Sequence, residues 1–148
     1  MQRIRLAEVT ADNWEAVIAL ELRRKQKRLL SDNLYSLAES KFDPDARPRA
    51  VYAGRKLVGF LMYDASGRGR RRTALIYRFM IDKHHQAKGY GRAALMAAIS
   101  EIKALGNVAR IVVSYLPGNR SARRLYLSVG FREAGKDDDG ECLAELVL

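Results

Sequence analysis

An α/β fold is predicted from three observations: short β-branched or alternating apolar runs, segments with apolar residues at helical spacing interleaved among them, and a glycine turn joining one run to a helix. The predicted order is β-α-α-β-β-β-α-β-α-β-β. At 148 residues the chain fits one domain, large enough to bury about two thirds of its unfolded surface without a metal or disulfide. No internal repeat, low-complexity tract or interdomain linker interrupts it.

Residues 4–8 alternate apolar and polar positions and are predicted as an edge strand. Thr10, Ala11 and Asp12 can cap a helix over 13–22, with Trp14, Val17, Ile18 and Ala19 facing inward. The stretch 23–30 either continues that helix or breaks from it. A second helix is predicted over 33–41 and stops before Pro44, because the residue ahead of a proline is pushed out of the α region. Residues 51–53 and 57–63 form a hairpin across Gly54, Arg55 and Lys56, and another strand spans 73–81 after the Arg-rich loop 66–72. The segment 92–105 carries Leu95, Ala98, Ile99, Ile102 and Leu105 on one helical face. Residues 110–115 are rich in β-branched side chains and read as a buried strand. A helix beginning after Pro117 and Gly118 stops at Gly130, a typical C-terminal glycine. The last hairpin pairs 131–136 with 141–147 across Asp137, Asp138, Asp139 and Gly140, a turn composition that needs no ligand.

Chemistry concentrates at two places. Gln86, Ala87, Lys88, Gly89, Tyr90 and Gly91 lie between a strand and a helix, where glycines let the backbone approach a ligand and free N–H groups meet the positive end of the helix dipole. The first carboxylate of that helix is Glu101, while Lys88 and Arg92 stand at its start, so the end stays positive and suits a phosphate. Further along, Asn119 is a natural N-cap, and Ala122, Leu125, Tyr126 and Val129 form an inward stripe. On spacing alone Tyr126 is a core tyrosine.

The pair of motifs, Gln86-x-x-Gly89-x-Gly91 followed by Asn119-x-x-Ala122-x-x-Leu125-Tyr126-x-x-x-Gly130-Phe131, resembles the Gcn5-related N-acetyltransferase (GNAT) superfamily. Val58 to Tyr63 and Tyr77 to Asp82 are similar to its bacterial spermine/spermidine (diamine) acetyltransferase branch. The resemblance implies a mixed sheet whose fourth and fifth strands splay apart to admit pantetheine, acetyl-CoA as co-substrate and no metal. It implies that the backbone of Phe79, Met80 and Ile81 meets the pantetheine and thioester, and that residues Gln86 to Arg92 hold the pyrophosphate. Asn119 and Arg124 would contact the cofactor, and Tyr126 would be the general acid beside the sulfur. In the diamine branch a carboxylate often precedes the Arg-Phe pair, whereas this chain has Tyr77 there. The general base therefore stays open among Tyr77, Glu39, His84, His85 and water.

Net charge is +10, with basic residues clustered at 23–28, 68–72 and 120–124. The last cluster lies on the Tyr126 helix, where Arg120, Arg123 or Arg124 can neutralise the 3′-phosphate of coenzyme A. The implied acceptor is the primary amine of a small molecule, polyamine-like by resemblance, although a strongly positive chain repels a polycation unless a local acidic pocket containing Glu39 or Glu133 reverses the field. A peptide or protein amine, or an aminoglycoside, is the alternative acceptor. A nucleic-acid-binding module and a non-catalytic acetyl-CoA sensor are the readings of other classes. Against nucleic acid stands the absence of zinc spacing, an RNP-like signature or a basic heptad. Cys142 is the only cysteine and reads as a strand residue. The start of the chain lacks the apolar core of a signal peptide and no run is long enough for a membrane span, so a cytoplasmic protein is expected, with a homodimer compatible.

Overall fold

A computed structural model of the protein describes residues 3–148, apart from the side chains of Arg28 and Arg68. Met1 and Gln2, and those two members of the basic clusters, lie outside the described residues. Strands β1 (Ile4–Glu8), β2 (Ala46–Ala53), β3 (Lys56–Arg68), β4 (Thr73–Ile81), β5 (Arg110–Tyr115), β6 (Arg132–Lys136) and β7 (Cys142–Val147) form a 7-stranded sheet in the order β1-β2-β3-β4-β5-β7-β6. Helices α1 (Trp14–Ala19), α2 (Asn33–Lys41), α3 (Tyr90–Ala104) and α4 (Arg120–Val129) cover it, and a 3-10 helix over Arg24–Leu29 occupies the stretch left open by the sequence. The predicted order of strands and helices is the observed one.

Each face of the sheet carries its own core. Leu95, Ala98 and Ile102 of α3 pack with Val58, Leu61, Ile76, Ile111 and Val113 on one side, and Val17 of α1 packs with Ala50, Phe60, Met62 and Met80 on the other. Full burial of a side chain such as Leu95 stabilises the fold by about 1.5–3 kcal/mol. A polar contact fixes α3 to the sheet as well. The Tyr63 hydroxyl donates to Glu101 at 2.5 Å and Arg49 Nε donates to the same carboxylate at 2.9 Å. Burial, and then the Glu101 charge, push the Tyr63 hydroxyl up to about 12.

Several predicted details differ. Helix α1 ends at Ala19, and Trp14 and Ala19 are exposed while Val17 alone is fully buried. The cause is tertiary: the Glu21 N–H donates to Asp82 Oδ1 at 2.8 Å and the Glu21 carbonyl accepts from the Lys83 N–H at 2.7 Å. Those bonds take the backbone groups a longer helix would have used. Leu105 caps α3 and is exposed rather than buried. Strand β2 begins at Ala46 and includes Pro48, tolerated because β1 pairs only with Arg49 onward and leaves that side of Pro48 open.

Strands β4 and β5 are parallel and pair only from Thr73↔Arg110 to Ile76↔Val113. Every other neighbouring pair is antiparallel. Beyond Ile76 the two strands part, as the resemblance implied. Opposite the opening, Met62 pairs with Arg78 and Tyr63 with Ile76, which leaves Tyr77 as the extra residue of a β-bulge.

Candidate active site

The turn between β4 and α3 has the geometry of an anion cradle made of backbone. Ala87 (φ 61°) and Gly89 (φ 82°) are left-handed, and Gly89 caps the helix. Such alternation turns successive N–H groups toward one concavity. None of the backbone N–H groups from residue 86 to residue 92 donates to a described protein group, and the first to do so is Ala93, bonded to the Gly89 carbonyl at 3.2 Å. The first turn of α3 contains no acidic residue. A Cβ built on Gly91 would meet Ile81 and Leu125 at 3.8 Å, an ordinary contact. Packing therefore does not require glycine there, and the space in front of it suits a ligand. The left-handed non-glycine Ala87 carries backbone strain of about 1 kcal/mol, a feature typical of sites rather than of scaffolds.

The Gln86 side chain does not face this concavity. Its amide donates to the Ile81 carbonyl at 2.9 Å and forms a reciprocal pair with Gln26 at 3.0 and 3.2 Å. Only its backbone remains available to an anion. The pair ties the 3-10 helix to the cradle, a link that nothing local in the sequence signals.

Next to the cradle a cleft of about 480 Å³ follows the divergence of β4 and β5. Phe79, Met80 and Ile81 line one wall, Ser114 and Tyr115 the other, and Gly91, Asn119, Ala122, Leu125 and Tyr126 close the α3–α4 side. Leu22, Gln26, Leu29 and Leu30 form the remaining wall. Tyr126 is 5% exposed, with its ring 5.7 Å from those of Tyr115 and Phe131. Its hydroxyl has no hydrogen-bond partner among the described residues. Burial, reinforced by Tyr115, pushes that hydroxyl far above the usual phenol range, so it keeps its proton. Asn119 caps α4 by accepting the Ala122 N–H at 3.2 Å, as predicted from the sequence, and it borders the cleft where the resemblance implies a cofactor contact.

The candidates for a base fare differently. The Tyr77 hydroxyl is pushed up to about 12, by burial first and then by Glu39 and Asp43, which leaves it neutral and unable to accept a proton as phenolate near pH 7. Glu39 pairs with Arg78 at 3.5 Å. Arg78 also donates to the Tyr77 carbonyl and lies 5.2 Å over the Tyr77 ring, while its buried Nε has no partner among the described residues. His84 is mostly exposed and bonds Asp82 at 3.2 Å, and neither His84 nor His85 lines the cleft. Among the basic residues of α4, Arg123 is committed to an ion pair with Glu133, whereas Arg120 and Arg124 are exposed, as are Lys88 and Arg92. Asp137 closes the last hairpin by accepting the N–H groups of Asp139 and Glu141, the turn role predicted for it.

Sequence reasoning missed Gln26, Tyr115 and Glu141 in the cleft, and it missed Gly59. A Cβ on Gly59 would lie 2.5 Å from the Met80 carbonyl oxygen, so glycine is needed for β3 to lie against the cleft wall.

Residues 14–131 match the model of the family described as the Acetyltransferase (GNAT) family. The chain belongs to that family. It is an N-acetyltransferase with acetyl-CoA as co-substrate, and the unpaired cradle, the open strand edge and the space before Gly91 all fit that molecule. Among curated GNAT relatives it is 32% identical over 145 residues to the spermine/spermidine N(1)-acetyltransferase of Bacillus subtilis (strain 168), covering 93% of this chain and 94% of that one. The fold is similar to that of a spermidine N-acetyltransferase from Vibrio cholerae solved with CoA and spermine, with a TM-score of 0.76, 18% identity and coverage of 98% and 95%. It is likewise similar to the aminoglycoside acetyltransferase AAC(6')-Ib solved with coenzyme A, with a TM-score of 0.80, 16% identity and coverage of 97% and 94%. Among the described residues no helix is long and apolar enough to cross a membrane, and no group of His, Cys, Asp or Glu is placed to hold a metal ion.

Proposed function

We propose that the protein acetylates a primary amine of a small polyamine of the spermine/spermidine class. The observation that carries the reading is the cleft itself, a strand-edge slot running from an unpaired anion cradle to the hydroxyl of Tyr126. The likeness over most of the chain to the Bacillus spermine/spermidine enzyme supports the choice of acceptor. The acetyl thioester supplies an acyl carbon already activated for attack. The backbone N–H groups of residues 86–92 hold the pyrophosphate, assisted at the rim by Lys88, Arg92, Arg124 and the Asn119 amide. Backbone groups of Phe79, Met80 and Ile81 orient the pantetheine and stabilise charge developing on the thioester oxygen.

Tyr126 stabilises the departing sulfur. Its raised hydroxyl lies well above the range in which thiols titrate, near 8.5. It therefore acts by donating a hydrogen bond to the developing thiolate rather than by releasing its proton outright. The amine must reach the cleft neutral. With Tyr77 neutral and Glu39 paired, its proton leaves through water.

The test is an acceptor panel with purified protein and acetyl-CoA, in which released thiol is measured for spermidine, spermine, an aminoglycoside and a lysine peptide. Turnover with the polyamines is expected. Turnover with the aminoglycoside or peptide alone would overturn the choice of acceptor and leave the transferase chemistry in place.

A further inference from the structure

Two charged residues line the cleft, Arg78 and Glu141. Arg78 is committed to Glu39 and to the Tyr77 carbonyl. Glu141 is not committed. Its backbone is fixed by the hairpin, with the N–H donating to Asp137 Oδ1 at 2.9 Å and the carbonyl accepting the Asp137 N–H at 2.9 Å. Its carboxylate has no hydrogen bond or ion pair among the described residues.

The other carboxylates without a side-chain partner among the described residues, those of Glu8, Asp12, Glu15, Asp138 and Asp139, are all exposed, whereas Glu141 is half-buried in a chain where 27 Lys and Arg outnumber 17 Asp and Glu. An adjoining cavity of about 430 Å³ shares Leu22, Leu30, Ser31 and Met80 with the cleft, and its carboxylates are engaged. Glu21 is paired with Lys83 at 2.8 Å, and Asp32 caps α2 by accepting the Tyr35 N–H at 2.8 Å. Glu141 thus remains as the carboxylate of the joined cavities without a protein partner among the described residues. Its position is also set by the fold. The next residue, Cys142, pairs with Tyr115, whose ring is 5.7 Å from that of Tyr126, so Glu141 stands at the reacting end of the cleft rather than at the cradle.

We propose that Glu141 is a specificity-determining residue that binds a non-reacting ammonium of the acceptor, so that the enzyme selects diamines and polyamines over monoamines. The inference rests on the proposed polyamine reading and adds the residue that enforces it. A partly desolvated carboxylate gains most from a cation that arrives with the ligand. It also offsets, locally, the repulsion that a net charge of +10 imposes on a polycation. Because the second ammonium keeps its charge throughout, the contact is equally strong before and during reaction, and its loss raises KM while leaving kcat nearly unchanged.

The experiment compares 1,4-diaminobutane and longer diamines with monoamines of matching length, for the wild type, Glu141→Gln, Glu141→Asp and Asp138→Asn. Asp138 is exposed on the same hairpin outside the cleft, so it controls for hairpin charge. The wild type should prefer diamines. Glu141→Gln should raise their KM about 10- to 100-fold, an ordinary cost for one lost charged contact, with monoamine kinetics and the thermal shift caused by acetyl-CoA unchanged. Glu141→Asp should recover part of the preference, and Asp138→Asn should behave as wild type. A diamine preference that survives Glu141→Gln, or a wild type without one, overturns the role of Glu141 while polyamine acetylation stands. Acetyl-CoA binding with no polyamine turnover overturns the acceptor reading, and Glu141 with it.

Discussion

On the cradle side of the cleft the groups left unpaired are backbone N–H groups from residue 86 to residue 92, with the Gln86 side chain turned to Gln26 and no side chain at Gly89 or Gly91. On the opposite side the wall is held by side chains. Asp82 fastens Glu21, Gln86 fastens Gln26, and the Asn33 amide donates to the Val17 carbonyl at 2.9 Å. A backbone site depends on where the chain may turn and how closely it may be approached, and few residue types satisfy that. A side-chain wall depends on partners far apart in sequence and can be rebuilt around another acceptor with the cradle untouched. The two sides should accordingly fail in different ways when altered.

The largest effect is expected at Tyr126, where the two sides meet. Tyr126→Phe keeps the ring and its packing, so the stabilisation by acetyl-CoA should persist while kcat falls about 10²- to 10³-fold, the usual loss for one donor to a developing charge. Since burial places the hydroxyl titration far above the ordinary range, no inflection due to Tyr126 is expected in a pH–rate profile between about pH 7 and 10. A few-fold change in kcat would return Tyr126 to the core.

Gly91 separates ligand approach from packing by sign. Gly91→Ala should stabilise the protein without ligand by about 0.5–1 kcal/mol, because alanine suits a helix better. It should also remove most of the roughly 2.7 kcal/mol gained at acetyl-CoA concentrations 100 times the dissociation constant. Melting curves with and without acetyl-CoA read both, and shifts of the same sign would break the backbone account of the cradle.

On the side-chain wall the Asp82 carboxyl is pushed up by burial but pulled further down by the N–H groups of Glu21 and His84 and by the His84 ring, with a net lowering. A lowered carboxyl contributes stability that is complete above its unfolded value, about 3.9, and is lost as pH falls through the folded value. Asp82→Asn should cost about 1–2 kcal/mol at pH 7. The cost should shrink below about pH 4, as denaturant melts across pH would show. Gln26→Ala should be smaller still, about 0.5–1.5 kcal/mol for a lost hydrogen bond. It should raise KM for the amine more than for acetyl-CoA, and an equal rise would mean that the amide pair supports both sides alike.

The same contrast explains what the sequence could reveal. The turn of the cradle was legible because Gly89 and Gly91 follow a strand at fixed spacing, and the burial of Tyr126 because Asn119 and the apolar stripe set its helix in register, whereas a place for Tyr126 beside the sulfur came from the family resemblance alone. The left-handed Ala87 escaped, since alanine carries no signal for that conformation. Glu141 comes near Tyr115 only because β7 inserts between β5 and β6, an arrangement of the whole sheet that no local pattern encodes. The early end of α1 likewise depends on Asp82 and Lys83, far along the chain, and so does the exposure of Trp14. The Tyr77 bulge reverses the strand alternation that a period-two reading assumes.

The parting of β4 and β5 beyond Ile76 and Val113 leaves two strand edges open in the middle of a sheet, where amide hydrogens are normally locked. Amides that face another strand trade deuterium slowly, and amides that face a water-filled gap trade it fast. Within 77–81 the amides that face the gap should therefore exchange as quickly as a loop in the free protein, while those turned toward β3 stay protected. Filling the gap should slow that exchange selectively, making the middle of the sheet a label-free gauge of how much of the enzyme is loaded.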